Sequence, residues 1–347
     1  MDQPAEHPIL AVDLGGTQIR AALVTPDRTV HCRRAVPTRD EDGVATVVAR
    51  IAEVAAAVRD EAAAAGLPDA IGVGISSPGP LDRRRGIVLD PPNLEGWKDV
   101  PIVEHVEPAL GLPTILERDT NVAIMGEWRY GAARGATDAV YVTVSTGVGG
   151  GVIMDGRPLL GHAGLAGEVG HLVVELDGPT CGCGGIGHAE AIASGTAIAR
   201  EGRRLLEDGL SPELRRLAAD GTAVDAELVA RAASAGDTRS AAILERAWIA
   251  IGALCASLVN LLTPEVIVIG GGIAEHHPRL FDVARREMAR RTLPDFAPDV
   301  RIERAALGGD VSLIGLLPIV NDRIGDAAPN RVAAVASTDQ PKGASLP

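Results

Sequence analysis

The chain has 347 residues, 46% hydrophobic and 23% charged, which is ordinary for a globular protein and long enough for two domains and a core that needs no disulfides. A formal net charge of −13 opposes a phosphate-backbone surface, and 2% aromatic residues leave no base-stacking platform, so nucleic-acid binding is excluded. Lysine occurs only at Lys98 and Lys342. There is thus no Gly-Lys-Ser/Thr phosphate loop, and any phosphate has to be held by backbone N–H groups, Mg²⁺ or Arg.

The N-terminus, MDQPAEHP, is acidic and lacks an apolar signal core, and residues 1–8 are expected to be disordered. Ile9–Val12 reads as a strand, Asp13-Leu14-Gly15-Gly16-Thr17 as a turn, and Ile19–Val24 and Val30–Val36 as two more strands. Val44, Val47, Val48, Ile51, Val54 and Val58 predict a helix over 44–65, with Gly66 as its C-cap. Ala70–Ile75 is a buried strand ending in the loop Ser76-Ser77-Pro78-Gly79-Pro80. After the apolar stretch Thr114–Leu116, a helical pattern runs from Asn121 to Trp128. The opening pattern then recurs: strand Ala139–Ser145, turn Thr146-Gly147-Val148-Gly149-Gly150-Gly151, strand Val152–Met154. A Gly-rich segment covers 178–187, helices fill 190–208 and 240–262, and the buried strand Glu265–Ile269 ends in Gly270-Gly271-Gly272. Both halves therefore open alike, a weak internal duplication. The apolar run Ala247–Leu262 has 16 residues, short of the ~20 that span a bilayer, and contains Asn260, so it reads as a buried core helix. The polar, Pro/Gly-rich tail, residues 324–347, is expected to be disordered.

Glycine turns let backbone N–H groups approach a phosphate. Gly15-Gly16 and Gly149–Gly151 are followed by strands rather than helices, so they read as hairpin turns and not as a dinucleotide loop. Either alone is satisfied by a tight hairpin. Two in duplicated positions, with Gly270–Gly272, suit a phosphate chain held between two lobes. In Glu117-Arg118-Asp119-Thr120-Asn121, Asp119 is either a general base at a strand end or a helix N-cap. His171, Cys181, Cys183 and His188 supply a Cys₂His₂ set within 18 residues, fit for a closed structural zinc site; the alternative is two buried thiols and two surface histidines. Glu168 and Glu190 flank that set. The close cysteine pair points to a metal in a reducing, cytoplasmic setting more than to a disulfide.

Together these residues resemble the ROK family of sugar kinases and repressors, of the actin-like, hexokinase-like ATPase superfamily. Asp13–Thr17 resembles the family's first phosphate motif, Thr146–Gly151 the second, and Gly270-Gly271-Gly272-Ile273 its adenosine motif. Glu168-Val-Gly-His171 with Cys181-Gly-Cys183-Gly-x-x-Gly-His188-x-Glu190 resembles its zinc loop, and Pro92-Asn93-Leu94-Glu95-Gly96-Trp97 its hexose-contacting loop. The match runs from about residue 8 to 323, with the motifs in order.

The resemblance implies an α/β, two-lobed actin-like ATPase (ribonuclease H-like) fold with duplicated βββαβα cores around a central cleft. A small lobe would span 9–116, completed by a helix near 311–323, and a large lobe 117–310. It implies ATP-dependent phosphorylation of a hexose, glucose foremost, at the 6-hydroxyl. Asp119 would be the base, and Asn93, Asp119, Glu168, His171 and Glu190 would bind the sugar. Asp13, Gly15, Gly16, Thr17, Thr146, Gly147, Gly149, Gly150 and Gly270–Gly272 would hold ATP and Mg²⁺, and His171, Cys181, Cys183 and His188 structural Zn²⁺. A homodimer, or a tetramer, is implied, with no membrane or nucleic-acid partner. Two positions depart from the family: His188 stands where a third Cys is usual, and Arg118 where Asn usually precedes the base. Arg118 either turns outward to pair with Glu117 or reads the substrate. Other sugars remain open: mannose, fructose, N-acetyl sugars and allose. A repressor is disfavoured because only about eight residues precede the first strand, and a non-catalytic sugar-binding protein because Asp119 and both glycine turns are retained.

Overall fold

The computed structural model describes residues 6–325 apart from Pro92, Ala163, Asp220, Ala297 and Pro298; of the segments 1–8 and 324–347 expected to be disordered, residues 1–5 and 326–347 lie outside the described residues, whereas His7 is hydrogen-bonded to Asn321, Pro8 O accepts from the Ile71 N–H, and Ile324 ends a helix. By its contacts the chain divides into two units, Met1–Val122 with Ser312–Pro347, and Ala123–Val311.

In the first unit β1 (Ile9–Leu14) is apolar at nearly every position because it lies at the centre of a five-stranded sheet. A tight turn closed by Gly15 N–H on Gln18 O returns the chain as β2 (Gln18–Val24), with Leu14 opposite Ile19. After β3 (Val30–Pro37), α1 (Val44–Ala64) buries Val47, Ile51, Val54 and Val58, the 3–4 spacing read in the sequence. β4 (Val73–Ser77) runs parallel to β1. A short hairpin, β5 (Leu81–Asp82) and β6 (Ile87–Val88), precedes α2 (Ile102–Leu110). β7 (Thr114–Arg118) then pairs parallel with β4 and forms the sheet edge, giving the order β3-β2-β1-β4-β7. α3 (Asp119–Tyr130) starts on the residue after β7, and its residues from Ala123 on count with the second unit.

The second unit repeats the plan. β8 (Ala139–Val144), β9 (Val148–Met154) and the short β10 (Arg157–Pro158) are antiparallel neighbours. The helices α4 (Glu190–Ala193), α5 (Gly195–Glu207), α6 (Pro212–Leu217), α7 (Ala226–Ser234) and α8 (Thr238–Leu262) follow. β11 (Val266–Gly270) lies parallel to β8. After α9 (Gly272–His276) and α10 (Arg279–Arg291), β12 (Arg301–Arg304) completes the order β10-β9-β8-β11-β12. Strand order and directions match those of the first sheet, so the duplication is structural. This is the actin-like ATPase plan.

The chain ends in α11 (Val311–Ile314) and α12 (Leu316–Ile324). Val73 and Ile75 of β4 join the α1 core, and Gly74 between them faces the other side. A Cβ there would stand 2.9 Å from Val320 and 3.0 Å from Leu316, so the missing side chain lets α12 lie flat on the sheet.

α8 contains the apolar run and is long and apolar enough for a membrane span, but 56% of its most apolar stretch is buried within the unit. Two polar residues within the run are satisfied: Asn260 accepts from Leu293 N–H at 3.1 Å and donates to Arg291 O at 3.3 Å, and the Ser257 hydroxyl donates to Ala253 O at 3.1 Å. It is a core helix.

Several expected boundaries move. The strand expected at 70–75 begins at Val73, and the helix over 190–208 is broken at Ser194, whose side chain caps α5. The larger correction concerns 146–151. Gly149, Gly150 and Gly151 lie in β9, opposite Thr143, Val142 and Tyr141, and the turn is only Ser145–Gly147. Gly150 is a packing glycine, because its Cβ would be 2.5 Å from Val169 and 2.6 Å from Tyr141 O.

Candidate active site and metal-ligand cluster

Parallel strands place their carboxyl ends at one end of a sheet, where open α/β sheets bind ligands. In the first unit that end carries Asp13, the turn Gly15–Thr17, and Asp119 directly after β7. Asp13 is half-buried. Its Oδ2 accepts from Arg20 at 2.6 Å, and Oδ1 accepts no hydrogen bond among the described residues. Thr38, which no sequence motif signals, clamps the turn: its buried hydroxyl donates to Gly15 O at 2.6 Å and its N–H to Thr17 O at 2.9 Å. Gly16 carries Asn93 against it. A Cβ on Gly16 would be 2.6 Å from Asn93 O, closer than any real side chain tolerates.

Asp119 opens α3 instead of capping it from outside, and its Oδ1 accepts the Thr120 N–H at 2.7 Å. Arg118 does not turn outward to Glu117. It is buried, its stem runs over Gly79, and its guanidinium reaches Asn121 Oδ1 at 3.3 Å. The reason is that Glu117 is already engaged. Its buried carboxylate accepts from Arg83, from Arg323 at 2.6 Å and from Asn121 at 2.9 Å. Arg83 and Arg323 are site neighbours that no local motif signals, being distant in sequence.

In the second unit the turn after β8 is held from behind. Gly195 N–H donates to Ser145 O at 2.8 Å, and the Thr196 hydroxyl to Thr146 O at 3.1 Å. Ser194-Gly195-Thr196 is thus an element of the site that the sequence motifs miss, detectable as an N-cap ahead of a helical pattern. At the end of β11, Gly271 has φ +92°, and a Cβ there would stand 2.6 Å from Val144 O. Only glycine fits, and Gly270–Gly272 are brought against the end of β8.

His171, Cys181, Cys183 and His188 converge, with ligand atoms all within 4.8 Å of one another. A tetrahedral zinc with Zn–N near 2.05 Å and Zn–S near 2.3 Å has edges of about 3.3 Å for N···N and about 3.6 Å for S···N. Here His171 Nδ1 and His188 Nδ1 are 3.3 Å apart, and Cys183 Sγ lies 3.6 Å from the first and 3.3 Å from the second. Cys181 Sγ is 3.9 Å from His171 Nδ1. The donor set and these four distances suit zinc, with His188 at the fourth corner. Because His171 turns Nδ1 inward, its Nε2 faces Glu168, 4.0 Å away. Burial, with Glu190 adding, pushes the Cys181 thiol up to about 11. Glu190 links the cluster to the start of β9, just after the Ser145–Gly147 turn: Oε1 accepts from Cys181 at 3.4 Å and Oε2 from the Val148 N–H at 3.0 Å.

Comparison with known proteins agrees with this arrangement. The ROK family model matches residues 9–323. A glucokinase of Thermotoga maritima is 36% identical over 321 residues, 91% of this chain and 98% of that protein. An N-acetylmannosamine kinase of Shigella flexneri is 34% identical over 281 residues, 79% and 87% of the two chains. Among solved structures, a ROK family glucokinase from Streptomyces griseus, in complex with glucose and AMPPNP, is 31% identical, with a TM-score of 0.76 over 90% of this chain and 98% of that one. Two sheets of one plan, each with a tight turn after its first strand, and a match over the whole described fold settle the question of descent: the chain belongs to the ROK family.

Proposed function

We propose that this protein is a hexose kinase that transfers the γ-phosphoryl group of ATP to the 6-hydroxyl of glucose. The observation that carries the reading is Asp119 standing at the carboxyl end of β7, at the same sheet end as the Gly15–Thr17 turn, in a chain that matches a glucokinase over 91% of its length. Asp119 accepts the proton of the 6-hydroxyl as the oxygen attacks, and Asn93, Glu168, His171 Nε2 and Glu190 bind the other hydroxyls. Phosphoryl transfer asks the protein mainly for positioning and charge stabilisation. The backbone N–H groups of Gly16, Thr17, Thr146 and Gly147 serve the phosphates, Gly15 closes the turn that presents the first pair, Gly149 and Gly150 shape the strand behind the second, and Gly270–Gly272 serve the adenosine. Bound Mg²⁺ neutralises phosphate charge, and the open Oδ1 of Asp13 is suited to hold it. Zinc is structural and fixes the loop that carries His171. Glu190 Oε1, which accepts from the Cys181 thiol at 3.4 Å, becomes available to a sugar hydroxyl once that thiol is a metal ligand. ADP release measured with ATP and a panel of hexoses tests the reading; a rate independent of added sugar would refute it.

Arg118 beside the base, together with the N-acetylmannosamine kinase relative, supports a second reading in which an N-acetyl sugar is preferred. We favour glucose because Arg118 is buried against Gly79 and Asn121. Arg118→Asn is therefore expected to lower stability by about 1–3 kcal/mol by unpairing buried groups, with the ranking of sugars unchanged. Thermal melts and the same panel check this, and an altered ranking at unchanged stability would favour the N-acetyl sugar.

A homodimer extends the reading, since closed two-fold dimers are the commonest assembly. Light scattering should give about twice the 35.7 kDa chain mass, and a monomer at micromolar concentration would contradict it. The cytoplasm suits its four free cysteines.

A further inference from the structure

The β5–β6 hairpin carries three consecutive arginines, Arg83, Arg84 and Arg85, that the phosphoryl-transfer reading does not use. With Arg323 of α12 and the β7 residues Thr114–Leu116 they line a cavity of about 390 Å³ within the first unit. None of the lining residues is acidic, in a chain with a net charge of −13.

The carboxylates nearest these arginines do not saturate them. Glu117 holds Arg83 and Arg323 through the single oxygen Oε2. Asp82 is 3.9 Å from Arg85, and its Oδ1 is taken by the backbone N–H groups of Arg84 and Arg85, at 3.1 and 3.0 Å. Glu107 is bonded to the Thr114 N–H at 2.8 Å. The Arg84 guanidinium has no ion-pair partner among the described residues, and the buried Arg83 Nε has no hydrogen-bond partner. The wall opposite is an open strand edge. Along β7 the N–H groups of Thr114 and Arg118 donate to side-chain carboxylates at 2.8 and 3.1 Å, so the Leu116 N–H between them faces the same open edge. Val103, Ile115 and Leu116 add apolar surface.

Guanidinium forks match the oxygens of a phosphate, and the volume exceeds what a bare anion fills, falling in the range of small-molecule sites. We propose that this cavity binds a phosphate monoester of a small organic molecule, its phosphate on Arg84, Arg85 and the free valences of Arg83 and Arg323, its carbon body on the apolar wall. The ligand would compete with Glu117 for two of its arginines, two residues before Asp119.

The test is calorimetric titration of the full chain with glycerol 3-phosphate and, separately, with inorganic phosphate, compared with the double variant Arg84→Ser/Arg85→Ser. Both arginines are exposed and lie outside the machinery assigned above, so the melting temperature should stay within about 2 °C, and binding is read without any kinase assay. The expected result is saturable binding of glycerol 3-phosphate, at least about tenfold tighter than inorganic phosphate and at least about tenfold weaker in the double variant. Equal affinity in the variant would overturn the proposal by placing the anion elsewhere. Inorganic phosphate binding as tightly would overturn the monoester assignment, and no saturable binding of either probe would overturn the site.

Discussion

Asp119→Asn is expected to lower kcat by at least about 10², some 2.7 kcal/mol of barrier, while leaving the fold and the sugar KM near their original values. The substitution separates two roles that the carboxylate holds. Asp119 Oδ1 accepts the Thr120 N–H at 2.7 Å at the start of α3, and an amide oxygen can still accept that bond. An amide cannot take a proton from a hydroxyl at neutral pH. The start of the helix therefore survives while the base is lost. Steady-state kinetics on glucose with a parallel thermal melt reads both. Turnover within a few-fold of the unsubstituted enzyme would remove Asp119 from the chemistry. A collapse of the melting temperature would show that the carboxylate is there to hold the helix.

Cys181→Ser is expected to reduce bound zinc from about one per chain to a small fraction of that, and to cost several kcal/mol of stability, because structural zinc contributes its binding energy to folding. Cys181 is buried and its thiol is raised to about 11, chiefly by burial, so it is protonated in the metal-free protein at neutral pH. Metal binding then expels that proton. The sign follows: zinc affinity weakens as pH falls, by about tenfold per unit for the one proton this thiol releases. The loss should reach the Ser145–Gly147 turn as well, because Glu190 bridges Cys181 and the Val148 N–H. Metal analysis of the purified protein, and zinc titrations at two pH values, check both parts. A metal-free preparation with full activity and an unchanged melt would show that the four side chains meet without need of an ion.

Much of the fold is legible in the sequence because it rests on local patterns. The strand–turn–strand openings at Ile9–Val24 and Ala139–Met154 appear where apolar runs meet glycine, and they pair as antiparallel neighbours in both sheets. The convergence of the Cys₂His₂ set is legible because two cysteines and two histidines within 18 residues, spaced by glycines, can meet around one point with little help from the rest of the chain. Local pattern fails where partners are distant. Gly149–Gly151 read as turn residues because glycine marks turns, but Val169 and Tyr141 O press on Gly150 inside a strand, a constraint set by an element about twenty residues away. Adjacency offers Glu117 as a surface partner for Arg118, one of the two readings that the sequence leaves open for it. The carboxylate is instead claimed by Arg83 and Arg323, which only the fold brings to it. Thr38 is silent for the same reason: its hydroxyl reaches back to Gly15 O, 23 positions earlier in the chain.

The central claim is transfer of a phosphoryl group from ATP to the 6-hydroxyl of glucose. Phosphorus NMR of purified protein with ATP, Mg²⁺ and glucose tests it most directly, because it identifies the product as well as the turnover. The expected result is that ADP and glucose 6-phosphate appear in equal amounts, with no inorganic phosphate beyond background. Inorganic phosphate as the main product, a phosphate on another hydroxyl, or no glucose-dependent change would contradict it.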